Sequence, residues 1–233
     1  MAVDAIVGAG CERLVSLSLV GAAPDAVFTL ARDHYATEER IRSSGIAFTF
    51  LRMTLHIDFI PSMVLPDGTI AGPARDGRTA AVLRNDVADA VAAVLLGNGH
   101  PGETFDLTGP EAFTFTEAAE LMSRVSGKPI RFHNETIDEA HASRARYGAP
   151  EWEVAGWVTT YSGIAAGEQS LVTDSVRVLA GHDPVTLAGY TDERPESLAH
   201  VRAPTPGRLS YRGCWHRGQR RSPRPTRARS SRW

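Results

Sequence analysis

The chain has 233 residues, of which 42% are hydrophobic and 22% charged, the ordinary balance of a folded water-soluble protein of one domain or a little more. No run reaches the ~18 unbroken apolar residues of a membrane-crossing helix, the opening MAVDAIVGAG lacks a basic secretory start, and two cysteines, Cys11 and Cys214, make neither a disulfide framework nor a four-ligand zinc site by themselves. The net charge of -2 conceals an asymmetry: the first 201 residues hold 15 basic and 27 acidic side chains, whereas ten arginines and no acids follow from Arg202 onward.

Residues 1–12 carry Ala2, Ala5, Ile6 and Ala9 at helical spacing, with Gly10 as the stop. Residues 13–18, RLVSLS, are a short apolar run suited to a buried parallel strand. After the loop GAAPDAVFTL, Asp33 is the expected N-cap of a helix that ends at Gly45. Residues 46–52, IAFTFLR, are β-branched and aromatic and read as a second strand. Strand, helix and strand in that order imply a crossover and a parallel sheet. The stretch from Pro61 to Arg78 is rich in Pro and Gly and reads as connection. Residues 85–97 form an amphipathic helix, 103–108 a strand, EAAELMSRVSG a helix capped by Thr116, and 130–133 another strand. Two or three helices follow between Asp138 and Ala180. Alternating α and β segments point to a doubly wound sheet, in a reduced, cytoplasmic α/β protein.

The last segment, 203–233, is dense in Arg, Ser, Pro and Gly and has no hydrophobic period, so it reads as an Arg-rich disordered tail after a folded part at 1–202. Its charge suits nucleic acid or an acidic partner. The preferred reading is a non-native terminus, such as out-of-frame translation of a GC-rich gene, with nucleic acid not favoured as a partner.

RLVSLSLVGAAPDAVFTLARDHYATEERIRSSGIAFTFLR, then GPARDGRTAAVLRNDVADAVAAVLL, GETFDLTGPEAFTFTEAAELMSRVSGKPI and DSVRVLAGHDPVTL, in this order, resemble the NmrA-like branch of the short-chain dehydrogenase/reductases. Within it the chain is most similar to NAD(P)H:quinone oxidoreductases, and the resemblance covers most of residues 1–200. It implies a partial Rossmann-like, doubly wound parallel sheet that lacks its first strands, with a small C-terminal α/β substrate cap. Family members open on a strand and a G-x-x-G-x-x-G turn that receives the dinucleotide pyrophosphate. No such turn occurs here: Gly8 and Gly10 close a helix before a strand, the reverse of the order a dinucleotide fingerprint needs. A truncated copy or a misassigned start is therefore expected.

The resemblance also supplies site residues. Ser18 falls at a strand end where the family carries a Ser or Thr beside the nicotinamide. His34 falls where ordinary short-chain dehydrogenases have the lysine of Tyr-x-x-x-Lys, and Leu30 stands in place of the tyrosine. Ser18 and His34 are thus the catalytic candidates, His34 because imidazole titrates near neutral pH. Arg52, Met53, Thr54, Leu55, His56, Ile57 and Asp58 correspond to the strand end and loop that wrap the cofactor. Met53 replaces a frequent Asn there and His56 a Tyr. Glu38, four residues after His34, shares its helical face and is expected to orient the helix. The Arg84 to Asp86 stretch is read as structural, and the scattered histidines give no metal site. The activity implied is reduction of a quinone or similar electron-poor acceptor by NAD or NADP hydride, impaired here by the missing turn. A non-catalytic NAD(P) sensor and an inactive fragment are the alternatives.

Overall fold

Phe50 and Leu51 are neighbours in the chain, both 0% exposed, and point to opposite faces of one sheet. The computed structural model describes residues 2–97 and 100–202. In chain order, α1 (Ala2–Gly8), β1 (Arg13–Leu19), α2 (Thr29–Ser43) and β2 (Ala47–Met53) lead to a 3-10 turn, Ile57–Met63. Then come β3 (Thr69–Gly72), β4 (Arg78–Thr79), α3 (Arg84–Leu96), β5 (Glu103–Leu107) and β6 (Phe113–Thr114). The chain continues through α4 (Phe115–Ser126), β7 (Arg131–Asn134), α5 (Ile137–Ala145), α6 (Glu151–Ala165), α7 (Ser175–Ala180), α8 (Leu187–Glu193) and α9 (Ala199–Arg202).

The main sheet is parallel, in the order β1–β2–β5, with Ser16 opposite Phe50 and Leu51 opposite Phe105. Phe50 packs with Val3, Ile41 and Ile46 on the side of α1 and α2. Leu51 packs with Val87, Ala90, Val94, Leu107 and Val176 on the side of α3 and α7. Helices on both faces explain why β2 buries three residues in succession, Thr49, Phe50 and Leu51, rather than every second one. Among the described residues, β1 pairs on one side only. The largest cluster lies outside this sheet. It joins Ile57 and Ile60 of the 3-10 turn, Ile70 of β3, Phe115 and Met122 of α4, Tyr161 and Ile164 of α6, and Leu198. There β3 pairs with β7 in parallel and β4 with β6 in antiparallel fashion, forming the α/β cap. Gly72 permits this packing: a Cβ at that position would lie 2.5 Å from the Tyr161 ring.

The doubly wound architecture agrees with the sequence reading, and local boundaries differ for identifiable reasons. The helix expected to start at Asp33 starts at Thr29. Its free N–H groups are met from far along the chain: Glu168 accepts from Val27 and Phe28 at 2.5 and 3.1 Å, and Thr159 Oγ1 from Thr29 at 3.2 Å. No local cap is needed, so no local cap signals the start. The cap of α4 is Thr114, not Thr116: its hydroxyl accepts from Glu117 N while the Glu117 carboxylate accepts from Thr114 N. The Pro/Gly-rich stretch read as connection holds β3, the end of the 3-10 turn and the first residue of β4, elements short enough to leave no alternation. The Arg-rich tail expected at 203–233 lies outside the described residues.

Candidate active site

β1 and β2 end together at Leu19 and Met53, which are partners in the register. A cavity of about 450 Å³ opens at this point, the position at which open α/β sheets take ligands. The sheet side contributes Leu19, Phe28, Leu30, His34 and the run Met53, Thr54, Leu55 and His56. The cap side contributes Phe59, Met63, Arg144, Arg146, Tyr147, Trp157 and Tyr161. The walls are mainly apolar and aromatic, with a few polar groups converging on them.

The loop after β2 is held on both sides. Thr54 Oγ1 donates to the Ala80 carbonyl at 2.7 Å, Val82 N to the Leu55 carbonyl at 2.9 Å, and Ile57 N to the Val82 carbonyl at 3.0 Å. Gln169 Oε1 accepts from Leu55 N at 3.0 Å and from Thr79 Oγ1 at 3.3 Å. Gln169 is 4% exposed and lines the cavity, so one buried amide fixes the loop that forms the floor.

His34 lies in the second turn of α2, half-buried. Burial lowers its pKa; Glu38, Asp33 and a hydrogen bond to the Leu17 backbone oppose this without reversing it. The ring is therefore neutral at pH 7, and with its N–H on Leu17 its other nitrogen is an acceptor. His56 is likewise held below its ordinary pKa, first by burial, and its Nδ1 is buried without a hydrogen-bond partner.

The remaining sequence candidates lie elsewhere. Ser18 and Arg52 precede Leu19 and Met53 by one residue, so strand alternation turns them away from the cavity. They are partners in the register, with Asp106 of β5 next to Arg52. Glu38, 1% exposed, reaches down from α2 onto this row. Its Oε1 accepts from Ser18 Oγ at 2.6 Å and Arg52 Nε at 2.8 Å, and its Oε2 from Arg52 at 2.6 Å and Arg42 at 3.2 Å. Burial pushes the Glu38 carboxyl up, but the hydrogen bonds from Arg52 and Ser18 and the charges of Arg52 and Arg42 outweigh it and hold the group ionised. Asp106 goes the other way: burial raises its pKa against the attraction of Arg52. Ser18 and Arg52 thus belong to a buried ion cluster that locks α2 to the sheet. Ile57 is 1% exposed in the cap core. Asp58 accepts from Arg84 Nε at 2.5 Å, which ties the 3-10 turn to the start of α3. Sequence reading missed the whole cap wall, from Phe59 to Tyr161. The segment RARYG carries no motif, and only the packing of α5 on α6 brings it over the strand ends.

For a dinucleotide, the residues present fit one end. The cavity at the strand ends, with an unpartnered ring nitrogen in its floor, suits the nicotinamide side. Among the described residues, no strand, glycine-rich turn and helix occur in that order to take a pyrophosphate, and a Cβ at Gly8 or Gly10 would meet nothing.

A parallel sheet wound on both faces, with its pocket at the strand ends under a cap, defines a Rossmann-like α/β protein. The chain is 30% identical over 201 residues to a (4-alkanoyl-5-oxo-2,5-dihydrofuran-3-yl)methyl phosphate reductase of Streptomyces griseus, covering 84% of this chain and 70% of that protein. It is 30% identical over 204 residues to quinone oxidoreductase 2 of Escherichia coli, covering 85% and 68%. The crystal structure of that NADPH-dependent quinone oxidoreductase superposes with a TM-score of 0.76 at 28% identity, over 82% of this chain and 70% of that one. A Citrobacter triphenylmethane reductase solved with NADP(H) gives 0.71 at 30% identity, over 85% and 68%. The regulator NmrA, at 18% identity and 0.58, shares the fold. No protein-family model matches. The chain belongs to the NmrA-like family of quinone-oxidoreductase-type proteins within the atypical short-chain dehydrogenase/reductases. Among the described residues, no helix is long and apolar enough to cross a membrane.

Proposed function

We propose that this protein works as an NAD(P)H-dependent oxidoreductase, with a quinone or similarly electron-poor small molecule as acceptor. The observation that carries the reading is the coincidence of His34 and residues 53–56 in one apolar, aromatic cavity at the ends of β1 and β2. The nicotinamide cofactor, when bound, supplies hydride to the acceptor. The chain positions and shields. Backbone groups of Met53, Thr54 and Leu55 form the floor against which a planar ring rests, and His56 Nδ1 is free to accept one hydrogen bond. Phe59, Tyr147, Trp157 and Tyr161 cover the opposite side and exclude water. Leu30 carries no proton, and neutral His34 acts as hydrogen-bond acceptor, so the proton that completes a hydroquinone comes from solvent or from the protonated fraction of His34. A quinone tolerates this because its reduced oxygen is a stabilised phenolate. Ser18, Arg52, Ile57 and Asp58 act as positioning residues behind the cavity.

The test is oxidation of NADPH by a soluble quinone, followed by nicotinamide absorbance, beside a thermal shift with cofactor alone. Turnover lost in the Leu55→Trp variant, which fills the cavity, supports the reading. Cofactor binding without turnover favours the sensor, to which Leu30 in the cavity wall also points. Neither binding nor turnover would refute both.

A further inference from the structure

Three guanidinium groups line the cavity, those of Arg84, Arg144 and Arg146. Arg144 is neutralised by Glu135 at 2.7 Å, with side chains 11% and 6% exposed, and also donates to the Ala71 carbonyl at 2.9 Å. Arg84 is neutralised by Asp58 at 2.5 Å. Arg146 has no carboxylate partner among the described residues. It follows α5 as its C-cap and is exposed. Its guanidinium lies 5.0 Å from the Tyr147 ring centre and donates to the Tyr147 hydroxyl at 3.0 Å. Tyr147 in turn meets Trp157 edge-on, with centroids 5.9 Å apart and planes at 86°. An arginine braced against an aromatic wall keeps its fork oriented with little entropy left to lose. Among the described residues the only acid that lines the cavity is Glu135, already held by Arg144. The two histidines are kept neutral by burial, so among the described residues Arg146 is the one uncompensated charge on the rim.

We propose that Arg146 is a specificity residue that makes this cavity prefer acceptors bearing an anionic substituent, with the aromatic ring against Tyr147 and Trp157 and the anion outside it on the guanidinium. The proposal rests on the acceptor pocket proposed above. A point cation would attract any anion, whereas a planar fork favours a sulfonate, carboxylate or phosphate that can accept two hydrogen bonds. Because the site is on the rim, salt weakens the effect.

The experiment titrates the full chain with 9,10-anthraquinone-2-sulfonate and with the neutral 2-(hydroxymethyl)anthraquinone, reading quenching of tryptophan fluorescence, with Trp157→Phe to assign the signal to the cavity. This needs neither cofactor nor turnover. The sulfonate should bind about fivefold tighter at low salt, and the preference should shrink in high salt. In Arg146→Gln the two ligands should bind alike, with the neutral one unchanged, and Arg146→Lys should restore part of the preference. Equal affinities for both ligands in the parent chain, or a preference that survives Arg146→Gln, would overturn the proposal and leave the pocket standing. Failure of both ligands to quench Trp157 would overturn the proposal together with the pocket.

Discussion

Replacing Glu38 with Gln removes the buried carboxylate on which Arg52, Arg42 and the Ser18 hydroxyl converge at the junction of α2 and the sheet, leaving Arg42 its second partner, Glu39. Gln retains one acceptor oxygen but turns an NH2 group toward the Arg52 fork. Removing one partner of a buried ion pair costs ~3–5 kcal/mol. The Arg52 and Arg42 side chains keep 20% and 34% exposure, so water recovers part of the loss. We therefore expect about 3 kcal/mol, or a Tm lowered by roughly 6–12 °C at ~2–4 °C per kcal/mol for a domain of this size. Circular dichroism melts of the parent, E38Q, R52M and E38Q/R52M measure it. The double variant should lose less than the sum of E38Q and R52M, because it strands no buried charge and lets Asp106 take up a proton. An E38Q melt within a degree or two of the parent, or a double variant at the full sum, would refute this account of the cluster.

The same groups set the acid side of the stability profile. His34 has its pKa depressed in the folded chain, so the unfolded chain binds the extra proton and stability begins to fall as pH drops below 6.5. Glu38 is also depressed, and its contribution is lost as pH falls below 4.5. Chemical denaturation across pH should show both slopes, the upper one reduced in His34→Gln, with the remainder due to His56, and the lower one reduced in E38Q. Gly72→Ala places a methyl group against the Tyr161 ring and should cost about 1–3 kcal/mol by overpacking, measured by urea unfolding, while Tyr161→Leu in the same chain should relieve part of it. Gln169→Ala leaves Leu55 N and the Thr79 hydroxyl without their acceptor, which should cost about 1–3 kcal/mol and weaken acceptor binding more than it lowers the Tm of the cap.

The sequence revealed what is periodic and local. The short apolar run of β1, the β-branched and aromatic run of β2, the helix between them and the apolar face of α3 sufficed to place a parallel sheet covered on both sides. Residues 53–56 were legible because they follow directly from a strand end, and His34 only through the family resemblance, which sets it where the lysine of Tyr-x-x-x-Lys stands. Ser18 and Arg52 were assigned to the cofactor because they too stand at strand ends, and only the two-residue repeat of the strand, with Leu19 and Met53 as the terminal pair, turns them to the other face. The start of α2 and the cap wall were hidden because their determinants are distant: Glu168 and Thr159 satisfy the first N–H groups of α2, and Arg146 reaches the cavity only through the packing of α5 on α6. A substitution at Glu168 would therefore disturb a helix more than a hundred positions upstream.

The Gln169 amide ties the loop after β2 to β4, and the hydrophobic clusters of the sheet with α3 and of the cap share no member. Aromatic groups on the cap can thus be exchanged, one lineage after another, while the crevice stays anchored where the strands terminate. Diversity in what is admitted is then inherited separately from the geometry that receives it.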